Sequence, residues 1–207
     1  MSDAAYREQV LGGKTLFDGK IITVEHWQVL LPDGREASRE IVLHKGGAAV
    51  VPVDQQGCVT LVRQHRVAID EMMLEIPAGK LDYEGEDPFA CVQRELAEET
   101  GLVAGKWQKL AHVVSTPGFC TERIALYLAT ELRQSAPRPD RDEFLNVVRM
   151  PLKDAVAQVF QGKIHDAKTC LGLLMAQQVL GAPLLAATPE ARYPRQQRGI
   201  FPRARKG

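Results

Sequence analysis

The stretch Arg94-Glu95-Leu96-Ala97-Glu98-Glu99-Thr100-Gly101-Leu102 holds the residues best suited to chemistry. Positions four apart share a helix face, so Glu95 and Glu99 point the same way, with Glu98 three residues after Glu95. Neither Glu95 nor Glu99 has an evident basic partner on that face, whereas Arg94 and Glu98 form an i,i+4 pair beside them. Clustered carboxylates repel one another unless a cation lies among them. Hard divalent ions such as Mg²⁺ are held by a few carboxylates together with substrate phosphates. The arginine can hold one carboxylate in place while others take metal. The alternative is a solvated acidic face with an incidental salt bridge.

These acids need a helix and a strand end to position them. Glu75-Ile76-Pro77-Ala78-Gly79 closes a short apolar strand, and Lys80 to Glu86 is a polar loop. Asp87 is a good N-cap, Pro88 suits the first helical position and Gly101 suits a left-handed C-cap, so a helix is predicted over 88–100. Acids in its last turns oppose the macrodipole, an uncompensated local cost that points to function.

Glu86, seven intervening residues, then Arg94 through Leu102 match the pattern G-x5-E-x7-R-E-U-x-E-E-x-G-U, with U apolar, and on these residues the chain resembles the Nudix hydrolase family. One spacing departs: six residues, not five, separate Gly79 from Glu86, which reads as a one-residue insertion near Tyr83. The resemblance implies an α/β fold, an α/β/α sandwich around a mixed sheet, preceded here by a small N-terminal antiparallel β-sheet. It implies hydrolysis of a nucleoside diphosphate derivative. It also implies that Glu95 and Glu99 bind metal with the backbone carbonyl of Ala78, and that Glu98 completes the site or holds Arg94. The implied ion is Mg²⁺, with Mn²⁺ the alternative.

Four further features resemble the ADP-ribose pyrophosphatase subfamily. Pro117 lies 15 positions after Leu102, and a rigid Pro117-Gly118 turn with Thr121 and Glu122 beside it could bind ribose hydroxyls or be an ordinary strand connection. Arg63-Gln64-His65-Arg66 is similar to an Arg-Gln-Tyr-Arg stretch; Arg63 and Arg66 suit bidentate phosphate binding, with ion pairing to Glu71 or Glu75 the alternative. Trp27, Arg39 and Glu40 lie in N-terminal strands that, in the subfamily, are exchanged between two subunits and help bind adenine; Trp27 could stack on a base or fill a core or interface. Asp140-Arg141-Asp142-Glu143 resembles an acidic loop with a catalytic glutamate, which makes Glu143 the group that activates water, Asp142 the reserve, and a plain surface turn the alternative. The implied reaction splits ADP-ribose into AMP and ribose 5-phosphate in a homodimer with exchanged N-terminal strands. GDP-mannose or another nucleotide sugar is the alternative substrate. A non-catalytic ADP-ribose-binding module is a more remote one, because such a sensor need not keep Glu95, Glu98 and Glu99 together.

Composition narrows the partners. Lysine plus arginine and aspartate plus glutamate both number 26, so there is no global electrostatic case for nucleic acid. No apolar run approaches the roughly 20 residues of a membrane span, and the polar, acid-bearing start is unlike a signal peptide. The scattered cysteines Cys58, Cys91, Cys120 and Cys170 fit reduced thiols and a cytoplasmic location, with Cys91 a packing residue. Three segments are expected: 1–45 as a β subdomain for dimerisation, 46–182 as the hydrolase domain, and 183–207 as a basic tail. Within them, two strands flank Pro32-Asp33-Gly34, a hairpin joins 47–53 to 57–64, strands follow near 107–115, 122–131 and 144–149, and helices near 152–161 and 167–180.

Overall fold

A computed structural model of the protein describes residues 3–83, 85–135 and 145–181. The box helix forms where its end signals put it. Helix α1 is Pro88–Thr100; the Asp87 side chain accepts from the Phe89 amide at 3.1 Å, and Gly101, left-handed at φ 68°, donates its N–H to the Ala97 carbonyl. The buried stripe of α1 is Cys91, Val92, Glu95, Leu96 and Glu99. The two glutamates therefore lie on the face that packs inward, which rules out a solvated acidic face. Val92 and Leu96 beside them are wholly buried, and each contributes roughly 1.5–3 kcal/mol, which helps offset the penalty of keeping carboxylates from water.

Strands β1 (Gln9–Asp18), β2 (Thr23–Leu30) and β3 (Glu36–Leu43) form one sheet in that order. Strands β2 and β3 are the pair expected around Pro32-Asp33-Gly34, with Gly34 at φ 84° in the turn. Strand β1 was not anticipated as a separate element. Its Gly12 and Gly13 interrupt the apolar pattern, yet Gly13 lies against the Trp27 indole, where a Cβ would come within 2.8 Å of the ring.

Two sheets make up the rest. Strand β5 (Cys58–Arg66) lies between β6 (Glu71–Glu75) and β10 (Asn146–Pro151). The other sheet has the order β7 (Ala78–Lys80), β4 (Gly47–Pro52), β9 (Arg123–Gln134), β8 (Leu102–Val114), with β4 and β9 parallel and the remaining pairs antiparallel. The turn expected after residue 53 forms, with the Gly57 amide on the Asp54 carbonyl and a bridge between Val53 and Val59, but β4 and β5 then part into different sheets. All six residues of β4 are buried, so it needs neighbours on both edges and finds them in β7 and β9.

Strand alternation builds the layers. Ala48 and Val50 of β4 and Ala125, Tyr127 and Ala129 of β9 face the α1 core, whereas Ala49, Val51, Leu126 and Leu128 face the other core. That second core is closed by α2 (Leu152–Phe160) and α3 (Ala167–Gly181), both where expected. The result is a mixed sheet between helical layers, in an α/β fold. By its internal contacts the chain divides into a unit ending at Ile41 and a unit Val42–Gly181. No helix among the described residues is long and apolar enough to cross a membrane.

Candidate active site

Arg94 is the hub of the acidic cluster. Its guanidinium donates to Glu98 at 3.1 Å, as the i,i+4 spacing predicts, and also to Glu95 at 2.7 Å. The expectation that Glu95 lacks a basic partner is thus corrected: the long arginine chain wraps back onto its sequence neighbour. Asp82 and Glu86 approach the same guanidinium at 3.3 and 3.8 Å. Burial works against its charge, yet Glu95 and then Asp82 outweigh burial and raise its pKa. Cys91 is tucked beneath, and burial, then Glu95, pushes its thiol up to about 12. It stays protonated and donates to the Lys80 carbonyl at 3.5 Å, which suits packing and not nucleophilic attack.

The inserted loop still delivers Glu86. Gly85 turns at φ 89°, and Glu86 accepts from the Asp82 amide at 2.6 Å, while Tyr83 projects outward. Gly79 is required for a different reason. A Cβ there would lie 1.9 Å from Glu95 Oε1, so only glycine lets the carboxylate rest against β7. Glu99, 5 % exposed, accepts from the Ala78 amide at 3.1 Å.

A cavity of 510 Å³ opens at one end of the four-stranded sheet, where Lys80, Gly47, Ile124 and Val113 stand side by side on adjacent strands. Asp82, Arg94 and Glu95 line its acidic side; Glu98 and Glu99 are not among its lining residues. Arg66, Asp166 and Lys168 also line it. Arg66 and Lys168 converge on Glu75, which is 2 % exposed: Arg66 grips it with two hydrogen bonds of 2.6 and 2.9 Å, and Lys168 donates to it and also pairs with Asp166 at 3.0 Å. Arg66 is thus ion-paired to Glu75 and also lines the cavity, whereas Arg63 is exposed on β5 and does not line it. Odd and even positions of a strand face opposite ways, which separates the two arginines.

Glu122 and Ser115 line the cavity, whereas Pro117 and Gly118 are exposed and do not. The Thr121 hydroxyl serves the backbone, accepting from the His44 amide at 2.9 Å. His44, Asp166 and Lys168 escaped the sequence reading. Asp166 could have been read as the N-cap of α3, since it accepts from the Thr169 amide at 2.9 Å, but nothing local marks His44. In the N-terminal unit, Trp27 donates to Glu25 at 2.6 Å, Arg39 pairs with Glu8 at 2.5 Å, and Glu40 is exposed. Asp142 and Glu143 lie outside the described residues, as does the basic tail.

The donor set around Glu95 is carboxylate oxygen, the chemistry that hard divalent cations take. The pocket that Gly79 leaves for the Glu95 carboxylate fits that use. Among the described residues no three His, Cys, Asp or Glu side chains converge closely enough to hold an ion as they stand; the Arg94 guanidinium lies between Glu95 and Glu98.

Known proteins share this architecture and its motif. The NUDIX domain profile matches residues 43–170. An ADP-ribose pyrophosphatase of Bacillus subtilis (strain 168) is 37% identical over 172 residues, covering 82% of this chain and 92% of that protein. A methanol dehydrogenase activator of Bacillus methanolicus is 33% identical over 174 residues, 83% of this chain and 94% of that protein. A solved structure of an ADP compounds hydrolase has the same fold, with a TM-score of 0.74 at 21% identity over 84% of this chain and 95% of that one. A profile match over most of the second unit, together with relatives aligned along nearly their whole length, means that the chain belongs to the Nudix family of pyrophosphohydrolases.

Proposed function

We propose that the protein hydrolyses the pyrophosphate of ADP-ribose, giving AMP and ribose 5-phosphate. The observation that carries this reading is the cavity itself: Asp82, Arg94 and Glu95 line one space of 510 Å³ together with Arg66 and Lys168, the two basic residues that hold Glu75. Such a space can take a pyrophosphate with a sugar attached. The choice of ADP-ribose is supported by the name of the Bacillus subtilis relative.

In this reading Glu95 and Glu99 hold Mg²⁺ or Mn²⁺ with the Ala78 carbonyl, and Glu98 keeps Arg94 in place. A bound divalent ion supplies charge neutralisation and a more acidic attacking water. Glu95 must turn from Arg94 to serve, and Arg94 keeps three other carboxylates when it does so. Arg66 offers its unused N–H groups to a phosphate. Glu143, or Asp142 in reserve, takes the proton of a water whose oxygen attacks one phosphorus as the bridging P–O bond breaks. Trp27, Arg39 and Glu40 reach the nucleotide of a partner subunit in a cytoplasmic homodimer. Residues 1–45 are its assembly element, 46–182 its catalytic domain and 183–207 its tail. Steady-state hydrolysis coupled to phosphate release tests the substrate: ADP-ribose should exceed GDP-mannose in kcat/KM, and a tenfold preference for GDP-mannose would overturn the assignment.

A further inference from the structure

Residues 75–78 pass from one sheet to the other, and the path of their backbone sets where the Ala78 carbonyl points. The Pro77 carbonyl accepts from the Val50 amide at 2.9 Å, and Ala78 stands in register with Ala49. Successive residues of an antiparallel strand turn their backbone groups to opposite sides. Ala78 therefore turns its N–H and C=O away from β4, and the N–H meets Glu99 at 3.1 Å. A further hold on the segment comes from α3, 93 residues on. Thr169 is fully buried in the first turn of that helix and does not line the cavity. Its hydroxyl accepts from the Ile76 amide at 3.0 Å; the amide can only donate, which leaves the hydroxyl proton for Asp166 at 2.6 Å. Asp166 also accepts from the Thr169 amide at 2.9 Å, so the hydroxyl is aimed by its own helix end. Gly172 lets α3 lie close, since a Cβ there would come within 3.0 Å of Val51 Cγ2 and 3.1 Å of Ile76 Cδ1. The helix start is thus pressed against both Ile76 and β4, the strand that holds Pro77.

We propose that Thr169 is a positioning residue for the divalent ion: its hydroxyl fixes the Ile76 amide, and through Pro77 this fixes the direction of the Ala78 carbonyl relative to Glu99. Proline transmits the constraint well, because its ring locks φ and leaves few free torsions between the tethered amide and the carbonyl. Thr169 touches nothing in the cavity, so it acts on the chemistry only through the backbone it holds. Groups that orient metal ligands without touching the metal commonly govern a tenfold or larger part of its affinity. This rests on the reading in which Glu99 and the Ala78 carbonyl hold the ion.

Mn²⁺ alone is the probe, titrated into the full metal-free chain and followed by electron paramagnetic resonance, beside thermal unfolding. Thr169→Val keeps the shape of the side chain and deletes the hydroxyl. Its dissociation constant for Mn²⁺ should rise about tenfold, the low end for an orienting partner, because one ligand of several is loosened. Thr169→Ser keeps the hydroxyl and should bind Mn²⁺ as the wild type does. A hydroxyl with only a structural role would lower Tm and leave the Mn²⁺ affinity alone. Equal weakening in the valine and serine variants would trace the effect to packing. Either result overturns the inference. Should Thr169→Val fail to fold, Thr169→Cys carries the test, since a thiol is a weaker donor and acceptor in the same place. It should weaken Mn²⁺ binding to a smaller degree, and wild-type affinity overturns the inference. Glu99→Gln separates the two assignments. If it binds Mn²⁺ as tightly as the wild type, the metal reading falls and the inference with it. If it weakens binding and Thr169→Val does not, only the inference falls.

Discussion

Replacing Gly79 with alanine should inactivate the enzyme without unfolding it. The added Cβ would lie 1.9 Å from Glu95 Oε1, 2.0 Å from Cδ and 2.6 Å from Cγ. To reach the 3.4 Å at which ordinary contact begins, the carboxylate must retreat by about 1.5 Å. The obstructed atoms are the end of a side chain and not backbone, so β7 can keep its pairing with β4 while Glu95 moves. The move breaks the Arg94–Glu95 hydrogen bond of 2.7 Å. A charge-assisted bond of this kind contributes about 1.5–3 kcal/mol, and the low end applies because the Arg94 side chain is 32% exposed and keeps Glu98, Asp82 and Glu86. A loss of that size lowers Tm by roughly 3–6 °C in a domain of this length. Displacing a group that must sit in the reaction geometry by an ångström or more costs on the order of 10²-fold in kcat. The assay is AMP release under saturating substrate and Mg²⁺, beside thermal unfolding. Gly118→Ala is the control, since an added Cβ there meets nothing within 4 Å. A folded Gly79→Ala enzyme with kcat within threefold of wild type would refute the placement of Glu95 in the chemistry.

Other expectations use the same geometry. Glu99→Gln should keep its contact with the Ala78 amide and the fold, yet lower kcat on the order of 10²-fold or more; near-normal turnover in saturating Mg²⁺ ends its assignment as a metal ligand. For Glu75, burial raises the pKa, but Arg66 and then Lys168 outweigh burial and hold it below the ordinary 4.5. A depressed folded pKa means stability that is complete above the unfolded value and lost as pH falls through the folded one. The Tm gap between wild type and Glu75→Gln should therefore be constant at neutral pH and close on acidification; a gap that ignores pH would show that the charge of Glu75 is not what holds the cluster. The first unit exposes Leu11, Leu16, Phe17 and Ile21, and an apolar surface of this kind on a sheet invites a partner. Sedimentation at micromolar concentration should give a dimer for the full chain and a monomer for one starting at Lys45; a fully active wild-type monomer excludes the exchanged-strand assembly.

Much of the helix side of the molecule was legible in residue order. Asp87, Pro88 and Gly101 mark the ends of α1, and the structure puts those ends where the marks are. The turn at Gly34 carries the same kind of local signal, and the helices expected near 152–161 and 167–180 form there. The first strand was obscured by Gly12 and Gly13, which make sense only once the Trp27 indole is seen against them. The hairpin expected between β4 and β5 was half right, since its turn obeys local chemistry and its strands obey the demands of two different sheets.

Sequence by itself determined the box helix, its caps, the shared face of Glu95 and Glu99 and the Arg94–Glu98 pair, because caps and i,i+4 spacing act within a few turns of one chain segment. Only the tertiary structure decided that this face is buried, that Arg94 also holds Glu95, and that Gly79 makes room for that carboxylate. It alone joined Glu75 to Lys168, 93 residues apart, and His44 to Thr121, 77 residues apart. Such contacts depend on which strands become neighbours and in what register. That is settled by how two cores are filled at once, and no short window of residues carries the information.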